Sequence, residues 1–195
     1  MEIRSFSELG APRVTGRTVE GYAVVFNHES KVLFDKANKR FFIEIIENGA
    51  ITEELLRSCD IKALLEHNRQ RMLARYTRGI GSLSLEIDSY GLKYKFEAPN
   101  TADGDYAIEM ITRGDINGSS FEFYTNEKNV TYSKRDGIVI RKVHKIDLIT
   151  DVSPVSDPAY TGTDVTVRSI DDVIGETDDK SYIQEINNLR KFILL

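Results

Sequence analysis

The stretch Leu83–Ala98, LSLEIDSYGLKYKFEA, decides the fold class. Leu83, Leu85 and Ile87 alternate with Ser84 and Glu86 before the turn DSYG, and Leu92, Tyr94 and Phe96 then alternate with Lys93 and Lys95. Successive side chains of an extended chain point to opposite faces, so each run carries one apolar and one polar face. The pattern predicts a β-hairpin that buries one side.

Further runs on either side are rich in β-branched and aromatic residues. TVEGYAVVF (18–26), IKALLEH (61–67), SSFEFYT (119–125), GIVIRKVHKIDLI (137–149) and DVTVRS (164–169) are predicted strands. Two helices interrupt them. ITEELLRS (51–58) has Glu53 and Glu54 in its opening turn, where they suit the positive end of the helix dipole. GDYAIEMITR (104–113) has Asp103 as its expected N-cap and Gly114 as its stop. The expected fold is mainly β (α+β), a closed or nearly closed antiparallel β-barrel surrounded by a few short α-helices. Residues 1–168 form that domain. The acidic stretch SIDDVIGETDDKS (169–181) reads as a linker. After it, Ile183, Ile186, Leu189 and Phe192 recur at helical spacing, giving a short amphipathic helix suited to a tether or scaffold-like segment.

Composition narrows the function classes. A chain of 195 residues, 41% hydrophobic, fits one core plus a tail. The one cysteine, Cys59, cannot close a disulfide within the chain and reads as structural at a helix end. A net charge of -5 without a basic patch argues against a nucleic-acid partner. His28, His67, His144 and Cys59 lack zinc-ligand spacing, so neither a metal nor another cofactor is expected. No stretch has the roughly 20 apolar residues of a membrane span, and MEIRSFSELG lacks the apolar run of a leader peptide.

The candidate chemistry lies in RGDINGSSFEFYT (113–125). If SSFEFYT is a strand, Ser119, Phe121 and Phe123 share the core face, and Ser120 projects to the wetter side with Glu122 and Tyr124. Two small polar residues ending a turn is the plain alternative. A nucleophilic serine needs a base. His67 falls in phase with Ile61, Ala63 and Leu65, and His144 with Ile138, Ile140, Ile146 and Leu148, so both also read as packed sheet histidines, while His28 reads as a loop residue. Spacing alone fixes no triad, because triads occur in several chain orders.

Six segments follow one another from about Gly21 to Ser169: GYAVVFN, FIEIIENGAI, IKALLEHN, GLKYKFEAPNT, ITRGDINGSSFEF and IDLITDVSPVSDPAYTGTDVTVRS. In this order they resemble the prohead (maturation) proteases of tailed bacteriophages, whose fold is similar to that of the herpesvirus assemblin serine proteases. The resemblance implies Ser120 as nucleophile, His67 before Asn68 as base, and Asp151 as the third member. Many relatives have glutamate at Asp151 and a small or apolar residue at Glu122. Herpesvirus proteases use a second histidine as the third member, which makes His144 the rival.

The resemblance also implies a serine endopeptidase that cuts the scaffold or delta segment of the major capsid protein, and itself, inside the assembling prohead in the cytoplasm of the bacterial host. It further implies a homo-oligomer, with a dimer as the simplest case. The alternative is a catalytically inactive capsid scaffold or structural β-barrel protein. Oxyanion donors, worth roughly 3 kcal/mol each, are not identified. Backbone amides and a water held by Arg141 remain open.

Overall fold

The computed structural model describes residues 2–6, 9–35 and 39–156. DVTVRS, the acidic linker and the amphipathic tail therefore lie outside the described residues. In chain order the strands are β1 (Glu2–Phe6), β2 (Arg13–Thr15), β3 (Thr18–Val25), β4 (Leu33–Asp35), β5 (Arg40–Ile46), β6 (Asp60–Leu64), β7 (Met72–Thr77), β8 (Ile80–Gly81), β9 (Leu83–Ile87), β10 (Gly91–Glu97), β11 (Gly118–Tyr124), β12 (Val130–Arg135), β13 (Ile138–Val143) and β14 (Leu148–Val155). The helices are α1 (Glu53–Ser58) and α2 (Ala102–Arg113).

The predicted hairpin is β9–β10, with Leu83 facing Phe96, Leu85 facing Tyr94 and Ile87 facing Leu92. Its turn is closed by Asp88, whose Oδ1 accepts from the amides of Tyr90 (2.7 Å) and Gly91 (2.8 Å). Leu92 and Tyr94 are fully enclosed, as the alternation requires. They join Val19, Phe121, Phe123, Ile149 and Val152 in the main core. Each such large side chain contributes about 1.5–3 kcal/mol by leaving water.

The mainly β class holds, but the closed antiparallel barrel does not. The described strands form three open sheets, ordered β1-β11-β14-β6-β7-β8, β2-β3-β10-β9 and β12-β13-β5-β4. Two junctions are parallel, β14 with β6 and β13 with β5. One reason is visible in GIVIRKVHKIDLI, which period two reads as a single strand. It breaks after Val143. The amides of His144, Ile146 and Asp147 donate to the carbonyls of Asn129, Ala50 and Tyr124 instead of continuing one ladder, so the halves enter different sheets.

Both helices form where predicted, with one correction at a cap. Thr101, not Asp103, is the N-cap of α2; its Oγ1 accepts from the Gly104 amide, and Asp103 sits in the first turn. Gly114 ends α2 at φ 83°, a left-handed conformation that glycine adopts without a Cβ clash. Thr52 caps α1 in the same manner, and Cys59 closes its other end, buried. No helix among the described residues is long and apolar enough to cross a membrane.

Candidate active site

Strand β14 is central in the six-stranded sheet, between β11 and β6. Its antiparallel register with β11 sets Ser153 opposite Ser120, Val152 opposite Phe121 and Asp151 opposite Glu122. Opposed residues share a face, so Ser120, Glu122, Asp151 and Ser153 point to one side while Phe121 and Val152 enter the core. The predicted parity of SSFEFYT is thus correct. The expectation that Ser120 faces a wetter side is not, since Ser120 is 0% exposed. Asp151 lies within a strand and is buried.

What encloses that face is the segment after β6. A simple continuation of the strand would send His67 the way of Ile61 and Ala63. Instead β6 ends at Leu64, and residues Leu65–His67 form a 3-10 turn in which Glu66 and His67 take φ values of 55° and 54°. Non-glycine residues in this region cost about 1–3 kcal/mol each, a strain that surrounding contacts must offset. Asn68 and Arg71 amides close the loop onto the Leu65 and Asn68 carbonyls. The Ser156 amide donates to Glu66 Oε1 at 2.8 Å, tying the turn to the end of β14. His67 is thereby turned back over β14.

Three of the predicted residues meet there. His67 Nδ1 lies 2.7 Å from Asp151 Oδ1, and His67 Nε2 lies 2.6 Å from Ser120 Oγ. With Asp151 as a carboxylate, Nδ1–H donates to it and Nε2 is left to accept from the Ser120 hydroxyl. Ser120 Oγ is also 2.8 Å from the Arg4 carbonyl, so its one hydrogen has two acceptors. Ser153, which the sequence reading did not single out, donates from Oγ to Asp151 Oδ1 at 2.8 Å. Its signal was available, since position i+2 from Asp151 must share its face. Glu122 accepts from Thr150 Oγ1 at 2.5 Å and from Arg69 at 3.3 Å.

The other candidates lie elsewhere. Ser119 bonds the Tyr94 hydroxyl at 2.8 Å and donates to the Gly10 carbonyl at 2.5 Å; burial holds the Tyr94 phenol above its usual range, against the opposing Ser119 bond. The His144 ring sits between Thr131 Oγ1 (2.7 Å) and Glu47 Oε2 (2.8 Å), and is part exposed rather than packed in a sheet. His28 is exposed with its ring near Tyr90.

Arg141 places its guanidinium on Glu2, at 2.6 and 2.9 Å, and on Glu44. Burial opposes its charge, but the Glu44 and Glu2 carboxylates outweigh that and raise its pKa. Arg4 joins the same cluster through Glu44 and Glu2, which ties β1 to β5 and β13 while β1 pairs with β11.

An imidazole bonded to a hydroxyl on one nitrogen and to a buried carboxylate on the other can withdraw a proton from that hydroxyl. No curated protein and no solved structure matches the chain significantly. The family model of the caudovirus prohead serine proteases matches residues 7–177, and the chain belongs to that family.

Proposed function

We propose that Ser120 is the nucleophile, His67 the general base and Asp151 the orienting carboxylate of this serine peptidase. Family membership makes the chain a hydrolase with a capsid-maturation role, acting on capsid proteins inside the assembling prohead. What supports the residue roles is one observation, the hydrogen-bonded line Ser120–His67–Asp151 with links of 2.6 and 2.7 Å.

In this reading Ser120 Oγ attacks a peptide carbonyl carbon while His67 Nε2 takes its proton. The C–N bond then breaks, and the imidazolium returns that proton to the departing amine, leaving an acyl ester on Ser120. Water attacks the ester, with His67 again as base, and frees the second product. Asp151 holds Nδ1–H in place and stabilises the imidazolium in each half. The substrate is the scaffold or delta segment of the major capsid protein, and the chain also cuts itself, within the acidic stretch 169–181 that joins the 1–168 unit to its tail.

The test incubates purified enzyme with its phage's major capsid protein and reads fragments by gel and mass. Wild type removes the delta segment and takes a fluorophosphonate label; Ser120→Ala and His67→Ala do neither. A folded wild type that takes no label overturns the residue roles. A labelled enzyme that leaves the capsid protein whole overturns the substrate.

A further inference from the structure

We propose that Ser153 is a positioning residue for catalysis, holding the Asp151 carboxylate in the orientation that steers His67. This rests on the reading of Asp151 as the orienting carboxylate. Ser153 Oγ is 2.8 Å from Asp151 Oδ1, and that same oxygen receives His67 Nδ1 at 2.7 Å. Ser153 is 0% exposed and Asp151 3%, so the pair meets inside the protein. A buried carboxylate is costly unless donors satisfy it, and a donor held by the protein is already oriented when the imidazolium forms.

Strand geometry makes Ser153 suited to this task. Asp151 and Ser153 are alternate residues of a strand paired on both sides, antiparallel to β11 and parallel to β6. The backbone cannot slide, so the Ser153 hydroxyl is fixed relative to Asp151. Its hydrogen bond restricts rotation of the carboxylate about its terminal torsion, which is otherwise broad. Oδ1 then stays under Nδ1–H, and the tautomer that leaves Nε2 free for Ser120 is favoured. The side-chain bond of Ser153 is to the carboxylate. It acts through Asp151.

Loss of this donor has a signed consequence. With Ser153→Ala, Asp151 keeps its charge with one fewer partner and pulls harder on the proton of the imidazolium. The acid limb of reactivity is therefore expected to move up. The freed carboxylate also turns more readily, which slows attack across the whole range.

The experiment measures the second-order rate of fluorophosphonate labelling of the full chain from pH 5 to 9. Wild type is compared with Ser153→Ala, Ser153→Thr, Asp151→Asn and Ser120→Ala, each with its Tm. Ser153→Ala is expected to label about tenfold more slowly, the size of one charge-assisted hydrogen bond, with its acid limb displaced upward. Ser153→Thr, which keeps the hydroxyl, recovers most of the rate. If alanine does not give folded protein, Ser153→Cys, close in volume and a weaker donor, takes its place with an intermediate rate expected.

A wild-type rate and limb in Ser153→Ala beside a slow Asp151→Asn overturns the proposal alone. So does a slow Ser153→Ala whose limb is unmoved and whose Tm has dropped, which is a packing defect. Wild-type labelling in Asp151→Asn, or any labelling at the active site of Ser120→Ala, overturns the reading beneath it.

Discussion

Ser119 and Ser120 are chain neighbours that face opposite sides of β11: the first bonds the Tyr94 hydroxyl at 2.8 Å, the second lies 2.6 Å from His67 Nε2. One serves the core and the other faces His67, although both are wholly enclosed.

Substitution should separate them. Ser120→Ala is expected to lower capsid-protein cleavage by about 10⁴-fold or more while the fold persists. Ser119→Ala is expected to keep cleavage and lose about 1–3 kcal/mol of stability, because a buried phenol and the Gly10 carbonyl each lose a partner. Urea unfolding beside a cleavage assay reads both.

The cluster of Arg4, Arg141, Glu2 and Glu44 makes a second prediction. Glu44 is buried and serves both arginines, so Glu44→Ala leaves two enclosed cations short of a partner. A loss of about 3–5 kcal/mol is expected. Because Glu2 and Arg4 of the cluster lie on β1, proteolysis near the N-terminus should quicken with it. An unchanged unfolding midpoint would count against the cluster as a fastening.

Alkaline pH gives a third. The Tyr22 hydroxyl donates to Asp88 Oδ2 at 2.7 Å, and this bond, with burial, raises its pKa from 10.0 to about 12. Above pH 10.0 the unfolded chain releases this proton while the folded chain keeps it, so stability is full below pH 10.0 and falls as pH rises through about 12. Tyr22→Phe should show a shallower decline between those limits in a denaturant series.

A fourth concerns the turn that carries His67. Glu66→Ala removes the acceptor of the Ser156 amide and loosens a strained segment. Labelling by a fluorophosphonate is expected to slow by about threefold to tenfold with little change in Tm, since positioning is sensitive to small displacements.

Self-cleavage gives a fifth. Intact mass of purified wild type followed over hours should show loss of the tail within 169–181, and Ser120→Ala should keep its full mass. An unchanged mass in enzyme that cuts capsid protein would sink the self-processing claim.

Sequence and structure agree where one physical signal dominates. The β9–β10 hairpin and the parity of β11 were legible because each strand has a single apolar face. β5 has both faces covered over Phe41–Glu44 and shows no alternation, so it was visible only through the motif FIEIIENGAI. β12 is exposed beyond Val130 and offered no apolar face to read. The parallel junctions depend on which distant strands meet, which period two does not encode. At the site, Ser120, His67 and Asp151 were all named, but the route by which they meet was not. The left-handed backbone at Glu66 and His67 carries no glycine to announce it, and strand phase alone pointed His67 into the core.

The contacts of His67 span 53 residues to Ser120 and 84 to Asp151; the last two lie on the neighbouring strands β11 and β14, and His67 on the turn that leaves β6 in the same sheet. Contacts so far apart in the chain form only after the intervening loops have closed. A polypeptide whose β14 has not docked therefore holds a serine, an imidazole and a carboxylate that have not yet met. Under the proposed roles, hydrolytic competence arrives only with completion of the sheet.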